Sequence, residues 1–143
     1  MKVQTVIDPR AEERVVIYAR EKSELVDAIE RLVTDTAFEL VGYRGREGVR
    51  LDAREVACFI VEGGRVYAVT GKERLELRCR LYQLETALSE DFVKIHQSAL
   101  ANIRQIASFD ASISGTMRVH FKNGYGDYVS RRCLKQVKER LGL

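Results

Sequence analysis

Short runs of β-branched, aromatic and other apolar residues follow one another between residues 38 and 129, and turn-forming residues separate them. Runs of this length and composition predict antiparallel strands joined by tight turns. The runs are Phe38 to Gly42, Gly48 to Leu51, Val56 to Val61, Arg65 to Thr70, Arg74 to Arg78, Phe92 to Ile95, Ile103 to Ala107, Thr116 to Phe121 and Tyr125 to Val129. Apolar and polar residues alternate in the Arg65 and Arg74 runs, which predicts that one face of this sheet stays in contact with water.

Glycines mark the predicted turns. Gly63, Gly64 and Gly71 provide the positive φ angles that tight hairpins need, so Val56 to Arg78 is predicted to form a three-stranded meander. The sequence Lys122-Asn-Gly124 predicts a further hairpin between the last two strands.

Residues 1–37 have a different pattern from the rest of the chain. Arg14 to Ala19 is rich in β-forming residues, and Ser23 then caps a segment in which Leu25, Ile29 and Leu32 recur at helical spacing. Thr34 to Ala37 interrupts that spacing. The sequence therefore predicts a strand-helix extension over residues 1–37, followed by a domain over residues 38–143.

Two more segments have helical spacing. Leu81, Leu84 and Leu88 predict a short helix that covers the apolar side of the meander. Ser130 is predicted to cap a C-terminal helix in which Leu134, Val137 and Leu141 are the apolar positions. The predicted fold class is α+β and mostly β.

The chain of 143 residues, 45% of them hydrophobic, is sufficient for one ordinary core with a short packed extension. The first ten residues are polar and charged, and no apolar run approaches the roughly 18 residues that a membrane span requires. We therefore expect no signal peptide, no membrane span and a cytoplasmic location. Cys58, Cys79 and Cys133 are odd in number and widely spaced, so we expect free thiols that pack as small hydrophobic side chains.

Catalysis is not expected. His96, Ser98 and Asp91 are close in sequence, but Ser98 lacks the flanking glycines of a nucleophile elbow, and no Gly-rich phosphate loop occurs. The only histidines are His96 and His120, which are too few for most metal sites without suitably spaced cysteines. The sequence thus predicts no enzyme, metal, cofactor or small-molecule substrate.

Positive charge is concentrated near the C-terminus. From Arg118 onward the chain has seven basic and two acidic residues, so this part of the surface is expected to attract a polyanion. A solvated basic face without a partner is the simpler interpretation.

A polar cluster interrupts the apolar stretch Phe92 to Ile106. Gln97 can both donate and accept, which matches an adenine edge or a phosphate, whereas His96 and Ser98 can donate to phosphate oxygens. Alternatively, His96 and Ser98 cap a short turn from Ser98 to Asn102. The two roles are compatible.

These features together resemble the LytTR family of DNA-binding domains. The resemblance rests on Phe-Val-Lys-Ile-His-Gln-Ser-x-Leu-x-Asn-Ile at Phe92 to Ile103, on Tyr-Val-Ser-Arg-Arg at Tyr128 to Arg132, and on the meander and leucine helix of Val56 to Leu88. It implies an elongated stack of small antiparallel sheets whose loops enter successive major grooves of double-stranded DNA.

The resemblance also implies roles for particular residues. It places a first contact loop at Arg65 and a second at His96, Gln97 and Ser98. It places the third contact element at the start of the last helix, where Arg132 matches the family's base-reading arginine. Arg131 and Lys135 would then bind DNA phosphates. The residues of this third element are Ser130, Arg131, Arg132 and Lys135.

Residues 1–37 are too few for the receiver domain that many family members carry. We expect this extension to form a homodimer, because a strand-helix unit leaves an edge and an apolar stripe uncovered, with a membrane-protein regulator as another possible partner. The alternative function is an adaptor whose basic surface binds an acidic protein or a membrane surface. Such an adaptor would show no sequence preference on DNA.

Overall fold

The computed structural model describes residues 2–37, 39–71, 73–111 and 115–143. Phe38, at which the first predicted strand run and the predicted domain begin, lies outside the described residues. The β-strands are β1 Val41–Arg44, β2 Glu47–Arg50, β3 Val56–Glu62, β4 Arg65–Thr70, β5 Arg74–Leu77, β6 Phe92–His96, β7 Ala99–Asn102, β8 Ile106–Ala111, β9 Met117–Phe121 and β10 Gly126–Val129. The α-helices are α1 Glu24–Ala37, α2 Leu81–Ala87 and α3 Arg131–Leu141.

The strands form two antiparallel sheets. The larger has the order β2-β1-β5-β4-β3-β7-β6, and the smaller has the order β10-β9-β8. The larger sheet contains the predicted meander β3-β4-β5, to which the hairpin β1-β2 is joined at the single pair Tyr43–Glu76. The predicted α+β, mostly β class is therefore confirmed, as is the meander.

Apolar side chains cover both faces of the central strands. On one face, Phe59 and Leu100 pack with Leu84 of α2. On the other face, Ile95 packs with Val119 of the smaller sheet and with Val137 of α3. The helix was correctly predicted to cover the meander. The predicted alternation is present in β5, where Leu75 and Leu77 are buried while Arg74 is exposed and Glu76 is half-buried, whereas the residues of β7 are buried on both faces.

The segment from Ser98 to Asn102 is not a turn. Residues Ala99–Asn102 form β7, which pairs with β3 and β6, and all four are buried. The turn prediction failed because a strand that is buried on both faces lacks the polar-apolar alternation by which strands are usually recognised.

The chain divides into two compact units, Met1–Ala37 and Phe38–Leu143. In the first, the Ser23 hydroxyl accepts a hydrogen bond from the Val26 N–H at 3.3 Å, as a helix cap does. Helix α1 continues to Ala37, past the predicted interruption at Thr34.

The strand predicted at Arg14 to Ala19 does not form. These residues have no strand assignment, and Val15 and Ile17 instead line a small pocket of about 140 Å³ with Ile29 and Val33 of α1. The prediction was wrong because β propensity stabilises a strand only when a neighbouring strand accepts its backbone hydrogen bonds, and a helix cannot do so.

The three cysteines are free, and Cys58 is fully buried. Burial, and to a smaller extent the charge of Asp127, raise the pKa of the Cys58 thiol to about 12. Cys79 and Cys133 are only half-buried. Among the described residues, no helix is long and apolar enough to cross a membrane.

Asn102 is the buried polar residue at the end of β7, with 1% of its surface exposed. Its amide nitrogen donates to the Val56 carbonyl at 2.9 Å, and its amide oxygen accepts from the Arg104 N–H at 3.1 Å. One side chain thus links the end of β7 to the start of β3.

We predict that Asn102→Ala lowers the free energy of unfolding by about 1 to 3 kcal/mol, because it leaves a buried carbonyl and an N–H without partners. Urea denaturation measures the change. The control is Asn123→Ala, which removes a similar but exposed pair of hydrogen bonds to Thr70 and Tyr125 and should cost less. An equal cost for both variants would contradict the role given to Asn102.

Candidate functional site

Two turns lie side by side at one end of the larger sheet. Strands β3 and β4 are joined there through Gly63 and Gly64, and both glycines have positive φ angles. Strands β6 and β7 are joined through Gln97 and Ser98. The Val61 N–H donates to the Ser98 carbonyl at 2.8 Å, so the backbone itself holds the two turns together.

The start of α3 lies next to the second of these turns. The Ser130 N–H donates to the Ile95 carbonyl at 2.8 Å, immediately before the turn at Gln97. Ile95 and Val137 of α3 are also both fully buried in the same apolar cluster. The structure therefore brings together two of the predicted contact elements, the 96–98 turn and the first turn of α3.

The ring of His96 connects these elements by three contacts. Its Nδ1 accepts from the Ser98 N–H at 3.1 Å, and its Nε2 lies 2.9 Å from Asp127 Oδ2. The ring also stacks on Tyr128, with centroids 4.4 Å apart and an interplanar angle of 4°. Only 12% of the His96 side chain is exposed, and 15% of the Asp127 side chain.

These contacts give His96 a local folding role like the alternative that the sequence left open, although at the turn of Gln97 and Ser98 and not over Ser98 to Asn102. Because Nδ1 accepts a hydrogen bond, the ring proton is on Nε2, where it is donated to Asp127. Both nitrogens are then engaged within the protein. The ring thus positions the turn that follows it, and the phosphate contact of His96 stays a prediction.

Gln97 and Ser98 differ in exposure. Gln97 is exposed, and among the described residues its amide has no hydrogen-bond partner, so it can bind a ligand. Ser98 is half-buried, and both its N–H and its carbonyl are used in holding the turn. Ser98 thus stabilises the local fold, as the alternative interpretation expected, but it does so through its backbone N–H and carbonyl and not by capping a turn with its side chain.

Arg131, Arg132 and Lys135 are all exposed on α3, and no ion pair involves them among the described residues. Ser130 occupies the N-cap position, as predicted, but its side chain makes no capping hydrogen bond. The Cys133 N–H donates to the Ser130 carbonyl instead. The first turn of α3 is therefore closed by the backbone, and the Ser130 hydroxyl is left available for a ligand.

Arg65 lies at the first turn, at the start of β4. Its side chain is exposed and lies 3.6 Å from Glu76 in an ion pair. An exposed pair of this kind is worth little free energy, so Glu76 does not prevent Arg65 from binding an anion.

Sequence reasoning missed Asp127 as part of this site. Its carboxylate holds His96 through Oδ2 and accepts from the Tyr128 N–H through Oδ1 at 2.8 Å. The available signal was that Asp127 is one of two acidic residues in the most basic part of the chain. Among the described residues, no three His, Cys, Asp or Glu side chains are grouped as metal ligands would be.

We predict that nitrogen-detected NMR shows His96 as the neutral form protonated at Nε2. Asp127→Ala should accelerate hydrogen exchange of the Ser98 amide and destabilise the fold by about 1 to 3 kcal/mol, because it removes the acceptor of a nearly buried hydrogen bond. Asp110→Ala is the control, since it removes the exposed partner of His120 at 2.7 Å. A proton on His96 Nδ1 would contradict the arrangement.

Comparison with known proteins gives concordant results. A sequence model described as the LytTr DNA-binding domain matches residues 47–142. Two curated relatives, HTH-type transcriptional regulators described as uncharacterized, from Staphylococcus aureus strains MSSA476 and MW2, are each 32% identical over 146 residues, with 100% of this chain and 99% of the relative covered. A solved LytTr DNA-binding domain from Bacillus cereus has a TM-score of 0.69 at 16% identity, covering 73% of this chain and 97% of that one. The last likeness concerns the fold alone.

Proposed function

Because this chain belongs to the LytTR family of DNA-binding domains, we propose that it is a sequence-specific transcriptional regulator that reads DNA through loops. The observation that best supports this proposal is the direct contact between the 96–98 turn and the start of α3. This contact keeps Gln97 close to Arg131 and Arg132. The family is defined by DNA binding, which is not an enzyme class.

Loops are favoured over a recognition helix by the order of the elements. The two Staphylococcus relatives are named as HTH-type regulators, a motif of two successive helices. In the described part of this chain, strands separate all three α-helices from one another. The first turn of α3 and the two hairpin turns are therefore the elements that we assign to DNA.

The distances between the three contact elements limit which of them can enter the same major groove. The ring of His96 stacks on Tyr128, so the Gln97 turn and the start of α3 are far nearer to each other than the roughly 34 Å between successive major grooves on one face of a duplex. The turn before Arg65 and the start of α3 are the outer two of the three elements across the sheet, so we assign them to the two ends of the contacted DNA. Gln97 then contacts the DNA between them.

Affinity and specificity come from different residues in this proposal. Exposed cations such as Arg131 and Lys135 bind phosphates, which release counterions and provide sequence-independent affinity. Arg132 is assigned to a base edge, for which the bidentate guanidinium is suited.

We predict that Arg132→Ala weakens binding to a selected duplex by about 1 to 3 kcal/mol and relaxes the preference at one base pair. Lys135→Ala should weaken binding to all sequences alike and reduce the salt dependence by about one unit. Selection from a random DNA pool supplies the specific duplex, and fluorescence anisotropy measures both affinities.

The two variants are matched, since each removes one exposed cation from α3. Equal losses on specific and random DNA for Arg132→Ala would argue against base reading. A wild-type protein that selects no preferred sequence would favour the adaptor function instead.

We further propose that the first unit forms a homodimer. Val15 and Leu25 are more than half exposed there, and a second copy would cover such apolar surface. Sedimentation velocity at tens of micromolar should show a dimer, and Leu25→Lys should shift it toward the monomer. A wild-type monomer at this concentration would rule the dimer out.

A further inference from the structure

The turn before Arg65 borders a groove of about 390 Å³, between the end of the meander and the start of α2. The charged residues in its lining are Arg65, Arg78, Arg80 and Glu76, so its net charge is positive. Since Glu76 pairs with Arg65, the other two arginines account for the excess.

Neither Arg78 nor Arg80 forms an ion pair with any described residue, and both are exposed. Nearby arginines differ in this respect, because Arg44 is paired with Glu73, and Arg74 with Glu62. Among the described residues, Arg78 and Arg80 are thus cations of the groove without an acidic partner.

The Arg78 guanidinium is held by an aromatic ring. Its carbon lies 3.8 Å from the centroid of the Tyr43 ring. Stacking of this kind restrains the guanidinium plane while its N–H groups remain available at the edge, where a phosphate oxygen binds. The side chain is thereby oriented for an anion before any ligand arrives.

The groove lies at the end of the sheet that we assign to DNA. Val66 pairs with Leu77, so Arg78 follows at the same end of the ladder as Arg65. Neighbouring strands are about 4.8 Å apart. The major groove is about 12 Å wide, so its phosphate border lies roughly 6 Å from its middle, within reach of an arginine one strand away.

We propose that Arg78 and Arg80 form a fourth DNA contact, which binds backbone phosphates at the border of the major groove that the Arg65 turn enters. This proposal rests on the proposed function. The ligand is the phosphodiester backbone, so the contact adds affinity without reading sequence.

The test measures the salt dependence of binding to a random duplex of about 30 base pairs, or three helical turns, between about 50 and 200 mM NaCl. Each phosphate contact contributes a slope of about 0.9 in log affinity against log salt. The double variant Arg78→Ala/Arg80→Ala should therefore lower the slope by about 1.8. Arg78→Lys/Arg80→Lys, which keeps both charges, should retain most of it.

The control is Arg54→Ala/Arg104→Ala. These two exposed arginines lie at the end of the sheet away from Arg65, with Arg54 before the start of β3 and Arg104 after the end of β7. Their removal changes the net charge by the same amount. Their slope should equal that of the wild type. An equal decrease in both double variants would show an effect of net charge and would overturn the site.

An unchanged slope in the Arg78→Ala/Arg80→Ala variant, with DNA binding intact, would overturn the fourth contact and leave the proposed function standing. A wild-type protein that does not bind the duplex would overturn both. Replacing chloride by inorganic phosphate at equal ionic strength should weaken DNA binding by the wild type at least as much as by the variant, because free phosphate competes with the backbone for the same two arginines. Inorganic phosphate that binds the wild type but not the variant, and leaves the affinity of the wild type for DNA unchanged, would assign the groove to free phosphate and overturn the backbone contact.

Discussion

The arrangement of the site depends on the junction between β6 and the start of α3. The backbone bond from Ser130 to Ile95 fixes where the helix begins, and the His96 ring fixes the turn that follows β6. Without this junction, Gln97 and the arginines of α3 would be on two independently moving segments. A protein that reads DNA with loops needs such bracing, because loops lack the rigidity of a helix inserted in the groove.

The negative charge of the site is nearly buried, whereas its positive charges are exposed. The nearly buried Asp127 is committed to His96 and the Tyr128 backbone, so its negative charge is used inside the protein. The exposed cations Arg131, Arg132 and Lys135 carry no ion pair among the described residues. The surface around the turn is thus positive although a carboxylate lies beneath it, which is the arrangement that a polyanion requires.

Local patterns predicted much of the fold. Gly63 and Gly64 correctly indicated the first turn of the meander, whereas Gly71 does not have the positive φ predicted for it. The leucines of α2 correctly indicated the covering helix, because this signal depends on a few neighbouring residues. The failures at Arg14 to Ala19 and at Ser98 to Asn102 depended on partners elsewhere in the chain. One segment lacks a strand to pair with, and the other is buried on both faces. The junction of His96 with Asp127 joins residues 31 apart, which no local pattern reveals.

The central claim is that the Gln97 turn and the start of α3 contact one DNA site from the same end of the sheet. Photocrosslinking tests it most directly, with benzoylphenylalanine placed singly at positions 97, 131 and 104 on the full chain bound to a selected duplex. The account predicts crosslinks from positions 97 and 131 to neighbouring nucleotides and none from position 104, at the opposite end of β7. Crosslinks from position 104 with none from position 97 or 131 would contradict it.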